Sequence, residues 1–292
     1  MKVGIIGLGI MANTMAETLV KMKEVECHAV ASRNIEKANA FKEKHGFTKA
    51  YGSYQELFDD EEIELVYIAT PHSNHYEEMM ACLHANKAVL CEKAFTVNAK
   101  QAKEVCALAK EKNILVAEAI WTRYMPSRKL LDKVIASGII GTPSVLNANL
   151  CYKISHIDRI TDPQLAGGAL LDVGVYPLNF ASMVFGNDIK ALHAHASFTD
   201  TNVDSTNTIT LIYNDNRVAS LFSSMQGGSN RMGHIVGDKG YINVTNINNI
   251  EKIEVFDLDH HLVESYDVSN EISGYEHQVL SCIKAMEQGK YE

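Results

Sequence analysis

The sequence predicts an α/β protein in two parts: a doubly wound parallel sheet over residues 1–120, then an α+β region with a large open antiparallel sheet over residues 121–292. Three observations carry this. Up to about residue 120, short and nearly unbroken apolar runs alternate with amphipathic stretches, as buried parallel strands and their crossover helices do. From about residue 144 the apolar residues recur with period two, in segments separated by turn signals. A chain of 292 residues is long enough to bury two cores of ordinary size.

In order along the first part, strands are expected at residues 3–6, 27–31, 65–70, 88–91 and 114–117. Asn34 can cap a helix in which Ile35, Ala38 and Phe41 share a face and which Gly46 would stop. Ser53 with Glu56, and Asn98 with Gln101, have capping-box spacing. Residues 75–86 read as a further helix. In the second part, residues 192–198 and 208–213 alternate with period two, and shorter strands are expected at 218–222, 233–236, 241–244 and 253–256. Asn214-Asp215-Asn216 and Gly237-Asp238-Lys239-Gly240 supply turns. Such a series predicts an antiparallel sheet with one covered face. Two helices interrupt it, at residues 167–185 and 275–286.

Hydrophobic content of 46% and charged content of 22% are those of a globular chain. No stretch reads as an apolar span of roughly 20 residues. The amino terminus runs straight into a strand pattern rather than a secretory signal, which predicts a cytoplasmic location. Six cysteines lack any Cys-x-x-Cys pair, so reduced buried thiols are expected rather than disulfides or a zinc ribbon. A formal charge of −9 opposes nucleic-acid binding, leaving a small molecule as the expected partner.

Gly7-Leu8-Gly9-Ile10-Met11-Ala12 follows the first strand and opens a helix pattern. It has the G-x-G-x-x-A form of a dinucleotide fingerprint, with a tight turn at Gly7, close backbone approach at Gly9, and the backbone of Ile10 and Met11 at a helix amino terminus facing phosphates. At the end of the second strand stands Ala31-Ser32-Arg33-Asn34. Without a carboxylate there to hold a ribose 2′-hydroxyl, and with Ser32 and Arg33 to meet a 2′-phosphate, NADP(H) is favoured over NAD(H).

Lys93 ends the apolar run 88–91 together with Glu92, where an open sheet binds ligands. Asp172, Tyr176 and Asn179 fall at i, i+4 and i+7 on an otherwise apolar helix, a polar stripe suited to lining a cleft, and Pro177 with Gly174 predicts a kink there. Hydride transfer at an alcohol carbon also moves a hydroxyl proton. Tyrosine, with a reference pKa of about 10, needs a cation to act as base near neutrality, and Lys93 can supply it.

Together with Ala69-Thr70-Pro71-His72-Ser73-Asn74-His75, Cys91-Glu92-Lys93 and Gly167 to Tyr176, the fingerprint resembles the Gfo/Idh/MocA oxidoreductases across essentially the whole chain. Their Glu-Lys-Pro motif stands here as Glu92-Lys93-Ala94. Tyrosine at 176, with Glu118-Ala119-Ile120-Trp121-Thr122-Arg123-Tyr124, looks like the branch that holds dimeric dihydrodiol and NADP-dependent D-xylose dehydrogenases. The resemblance implies a Rossmann domain, catalytic Lys93 and Tyr176 supported by Asp172, and cofactor contacts from Thr70, Pro71, His75, Glu92 and Lys93. It further implies a substrate pocket lined by Trp121, a homodimer through the open sheet, and a final segment beyond Glu292. Substrate contact by Asn179 is expected from the stripe itself. The expected substrate is a small sugar, polyol or vicinal diol; a regulator that senses NADP and sugar without turnover is the alternative.

Twelve histidines raise the question of a metal. His72 with His75, and His193 with His195, have the best spacing, but neither pair has a third ligand at motif distance, so no metal is expected. The run Asp59-Asp60-Glu61-Glu62 reads as a solvated loop.

Overall fold

The computed structural model describes residues 1–270 and 272–291. The chain forms two compact units, Met1–Trp121 with Asn270–Glu292, and Thr122–Ser269.

The first unit runs β1 (Lys2–Ile6), α1 (Ile10–Leu19), β2 (Glu26–Ala31), α2 (Ile35–His45), β3 (Lys49–Tyr51), α3 (Tyr54–Asp59), β4 (Leu65–Ile68), α4 (His75–His84), β5 (Ala88–Glu92), α5 (Ala99–Lys112) and β6 (Val116–Ala119). The strands are parallel in the order β3-β2-β1-β4-β5-β6. Both faces are covered, which is why the strands are apolar without alternation. Ile5, Val30, Leu65, Tyr67 and Leu90 pack with α1 and α2 on one side; Ile6, Ala31, Val66, Ile68 and Val89 pack with α3, α4 and α5 on the other. The helix ends follow their sequence signals. Asn34 Oδ1 accepts from Lys37 N at 2.8 Å, Ser53 and Glu56 form the full capping box, and Asn98 Oδ1 accepts from Gln101 N at 3.0 Å. Strand β3 escaped sequence reading because three residues are too few to show a period, and β6 lies two residues later than expected.

The second unit holds α6 (Pro126–Ala136), β7 (Pro143–Cys151), α7 (Asp158–Thr161), α8 (Val175–Phe185), β8 (Ile189–Phe198), β9 (Asp204–Tyr213), β10 (Val218–Ser224), β11 (Gly233–Gly237), β12 (Gly240–Thr245), β13 (Lys252–Asp257) and β14 (Leu262–Asp267). The sheet order is β14-β13-β12-β11-β7-β10-β9-β8. It is antiparallel except where β10 pairs with β7 in parallel, a departure from the uniformly antiparallel sheet expected. That pair forms because β7 enters the sheet centre, far in sequence from its neighbours. Neither β7, with its asparagines, nor the polar edge strand β14 gave a strand signal.

Residues 167–185 are not one regular helix. Asp204 Oδ2 accepts from Leu170 N at 2.6 Å, a π-helical turn spans Leu170–Gly174, and α8 follows. Pro177 thus falls in the first turn of α8, where its missing N–H costs little, and the break lies before it. The run Pro163–Phe185 is long and apolar enough by length and composition to cross a membrane, where sequence reading expected no such stretch. Most of it is buried inside the protein, with α8 packed on β7 and β10, as a core helix would be.

The chain then returns to the first unit as α9 (Glu276–Glu287). Residues 270–292 were expected with the second domain. Instead Val279 and Cys282 join the core formed by Leu90, Leu115 and Ala119, because that side of the sheet has no crossover helix of its own over its last strands. The start of α9 is fixed by Glu276, whose carboxylate accepts from the backbone of Ile272, Ser273 and Gly274.

Candidate functional site

Gly7 has φ of 79°, in the left-handed region, and a Cβ there would lie 2.6 Å from both the backbone nitrogen and Cγ2 of Thr70. The turn after β1 is therefore pressed onto the start of the loop after β4. A Cβ on Gly9 would meet only Gly7 O, at 3.9 Å, so the space in front of α1 is open. No side chain caps α1, and Ile10 is 84% exposed. Free first-turn N–H groups beside an open glycine turn fit an anionic pyrophosphate. At the end of β2, Ser32 Oγ accepts from Asn34 N at 3.2 Å and Arg33 is exposed.

The loop after β4 is held by α4. Thr70 Oγ1 donates to Glu78 Oε2, and burial pushes the Glu78 carboxyl up to about 7. His75 is 0% exposed; its Nδ1 lies 2.8 Å from Ala94 O and its Nε2 3.0 Å from Thr70 O. Burial holds its pKa below the usual histidine range. Expected as a cofactor contact, His75 instead joins the loop after β4 to the loop after β5.

Glu92 is likewise turned inward rather than toward a ligand. Its carboxylate accepts from the Tyr67 hydroxyl and, at 3.3 Å, from Lys93 N, while burial raises its pKa. Glu118 Oε1 accepts from Phe95 N at 2.9 Å. Two carboxylates and His75 thus fasten the backbone around half-buried Lys93, whose peptide bond to Ala94 is cis. Trp121 is buried and stacked on Tyr275, with ring centroids 4.3 Å apart and planes 6° from parallel. One indole face is therefore covered by the protein itself.

In the second unit Asp172, Tyr176 and Asn179 are all buried. Arg159 Nη1 lies 3.1 Å from Asp172 Oδ1, so a guanidinium accompanies that carboxylate. Asn179 was expected to bind substrate, but its Oδ1 accepts from Arg123 Nε and its Nδ2 donates to Thr122 Oγ1 at 2.8 Å. The amide is spent on anchoring the segment before α6 to α8. Gly168 precedes the π turn with φ of 115°, and a Cβ there would meet Asp204 Oδ1 at 2.2 Å.

The structure brings Gly7, Gly9, Ser32, Arg33, Thr70, Pro71 and Lys93 to the carboxyl-terminal ends of β1, β2, β4 and β5, one edge of one sheet. Sequence reading missed Tyr54, whose hydroxyl takes the Gly7 N–H, as well as Glu78, Tyr67 and Tyr275. Glu78 had a signal: it lies on the same face as Cys82 and beside Met79, an apolar stripe where a carboxylate needs a reason.

Two groups of potential metal ligands occur among the described residues, His28 with Asp60 and Glu62, and Asp257 with Asp259 and His261. The first lies at the opposite edge of the parallel sheet and departs from the expected solvated loop at Asp60 alone, since Asp59, Glu61 and Glu62 are exposed. Asp60 is buried, 3.0 Å from His28 Nε2 and 3.0 Å from Lys49 Nζ, and it accepts from Tyr51 at 2.8 Å. Lys49 also donates to Glu62 at 2.7 Å, so an ammonium already sits among these carboxylates. The second group lies at an exposed hairpin.

Residues 1–119 match the family model described as "Oxidoreductase family, NAD-binding Rossmann fold", and residues 129–243 match "GFO/IDH/MocA C-terminal domain". The chain is 38% identical over 240 residues to the trans-1,2-dihydrobenzene-1,2-diol dehydrogenase of Mus musculus, covering 81% of this chain and 72% of that one. It is 37% identical over 246 residues to the Homo sapiens protein of the same name, covering 83% and 74%. In fold it resembles a 3-ketoreductase from Actinomadura kijaniata solved with NADP and TDP-benzene, with a TM-score of 0.90 at 23% identity over 100% of this chain and 91% of that one. A levoglucosan dehydrogenase solved with NADH and L-sorbose gives a TM-score of 0.90 at 20% identity, with the same coverage.

Proposed function

The chain belongs to the Gfo/Idh/MocA family of oxidoreductases, and we propose that within it the protein is an NADP-dependent dehydrogenase or reductase acting on a CH–OH group of a sugar, polyol or vicinal diol. The observation that carries this reading is the meeting of the open glycine turn at Gly7 and Gly9 with the loop of Lys93 at one edge of one parallel sheet. The diol dehydrogenases named above, more than a third identical over four-fifths of the chain, support the substrate class. A bound nicotinamide would supply or accept the hydride. Arg33 and Ser32 receive the 2′-phosphate, and the first-turn N–H groups of α1 receive the pyrophosphate.

Lys93 and Tyr176 handle the proton. In oxidation, Tyr176 as phenolate accepts the hydroxyl proton while the hydride leaves carbon; in reduction the phenol returns it. Lys93 donates from its ammonium to the substrate oxygen. Asp172 supports Tyr176, and Trp121 lines the substrate pocket. A homodimer is proposed through the outer face of the eight-stranded sheet, where Ile212, Val218, Val145, Val236, Tyr241 and Phe256 stand side by side as one apolar row across six strands. Six cysteines with no disulfide among the described residues favour a cytoplasmic location.

Lys93→Met and Tyr176→Phe test the assignment: each is expected to lower kcat by roughly 100-fold or more while the Kd for NADP(H) stays nearly constant. A panel of aldoses and diols scored by NADPH absorbance identifies the substrate. Silence across the panel with intact NADP binding would point instead to a sensor that binds without turnover.

A further inference from the structure

Three residues form a chain from the dinucleotide turn into the protein. Gly7 is pressed onto Thr70, 2.6 Å from where a Cβ would stand. Thr70 Oγ1 donates to Glu78, and Glu78 is only 9% exposed. Rotation of the Thr70 side chain would drive Cγ2 or Oγ1 toward the glycine turn, so the carboxylate that fixes this rotamer fixes one wall of the turn. Several ionisable or charged groups bear on Glu78: Arg33 beyond β2, Tyr54 on α3, Cys91 on β5, and Cys82 one turn along α4. Of these only Arg33 carries opposite charge at neutral pH.

We propose that Glu78 is a positioning residue for the dinucleotide turn, and that its ionisation opposes the anionic cofactor, so that the cofactor binds together with a proton. This role rests on nicotinamide-dinucleotide binding at Gly7 and Gly9 and deepens that reading. Asn74 also donates to the carboxylate; Thr70 can still donate to the carbonyl oxygen of the protonated form, so the wall survives protonation. Burial has already brought the carboxyl into the range where it titrates near neutrality. A bound pyrophosphate adds negative charge on the far side of Thr70 and raises the proton affinity further. Ionised Glu78 also offsets the field of Arg33, and its neutralisation leaves that field for a 2′-phosphate.

The test is isothermal titration of NAD+ and NADP+ into the full chain between pH 6 and 8.5, in buffers of different ionisation enthalpy. NAD+ is needed because the 2′-phosphate of NADP+ itself titrates near pH 6. The wild-type protein is expected to take up a fraction of a proton with NAD+ near pH 7, and its affinity to weaken roughly three- to tenfold from pH 6 to pH 8. Glu78→Gln, which still accepts from Thr70, should abolish the uptake and flatten the profile. Thr70→Val should weaken both cofactors at every pH while keeping the uptake. Equal proton uptake in wild type and Glu78→Gln would overturn the proposal while leaving the cofactor reading intact; no binding of either cofactor by wild type would overturn both. Should Glu78→Gln fail to fold, the wild-type uptake remains measurable, and its absence is equally decisive against the proposal.

Discussion

At Gly7 the backbone conformation and the space around it both demand glycine. Gly7→Ala would place a left-handed alanine, costing about 1–2 kcal/mol, in van der Waals conflict with Thr70, costing about 1–3 kcal/mol more. Thermal unfolding should register the loss, and cofactor titration should show no binding, since the turn can relax only by closing toward the phosphate space. Arg33 tests a different property. Removing one charge-assisted contact to the 2′-phosphate costs about 1.5–3 kcal/mol, so Arg33→Ala should weaken NADP binding by one to two orders of magnitude and leave NAD binding within about a factor of two. Equal losses for both cofactors would defeat the NADP assignment.

At the scale of elements, the starts of β1, β2 and β3 are laced together by Lys2, His28, Lys49, Tyr51, Asp60 and Glu62. Burial pushes the Asp60 carboxyl upward, but donation from Lys49, Tyr51, the Glu62 backbone and His28 carries it well below the usual carboxylate range. Hydrogen bonds from Lys2 and Lys49 hold Glu62 down at about 2. Carboxylates depressed in the folded state contribute stability above their unfolded pKa of about 4, and lose it as pH falls through that value toward the folded one. Asp60→Asn should therefore lower stability at pH 7 by about 1–3 kcal/mol, by weakening its bonds to buried His28 and to half-exposed Lys49 and Tyr51, and the difference from wild type should narrow below pH 4. Urea unfolding at both pH values measures this; a difference independent of pH would show that packing rather than charge is at work. The same lacing ties β3, too short to be read from sequence, to the rest of the sheet.

For the whole molecule, the question is what covers the outer face of the second unit's sheet. One side is filled by α8, with Phe180 fully buried, while the other carries the apolar row from Ile212 to Phe256 and leaves Val145 and Phe222 exposed. If that face joins two copies, light scattering should give twice the monomer mass, and Val236→Lys combined with Phe222→Glu should give a folded monomer. A wild-type monomer at micromolar concentration would remove the homodimer from the reading.

The first sheet was legible because its residues obey local rules. Strands buried on both faces must be apolar throughout, helices announce their caps, and a turn that admits a pyrophosphate needs glycines at fixed spacing. For the same reason the fingerprint could be named from sequence. What sequence could not supply was the use to which each polar group is put. His75, Glu92 and Asn179 carry the chemistry of ligand contacts, yet their partners are Thr70 and Ala94, Tyr67 and Lys93, Arg123 and Thr122. The place of α9 and the parallel entry of β7 were likewise decided far from their own residues. Periodicity and caps act over a few residues, and so most elements and the cofactor turn could be read locally, while β3, β7 and β14 could not. Pairing of buried polar groups and covering of a sheet face depend on which distant segment arrives, and only the tertiary structure decided those.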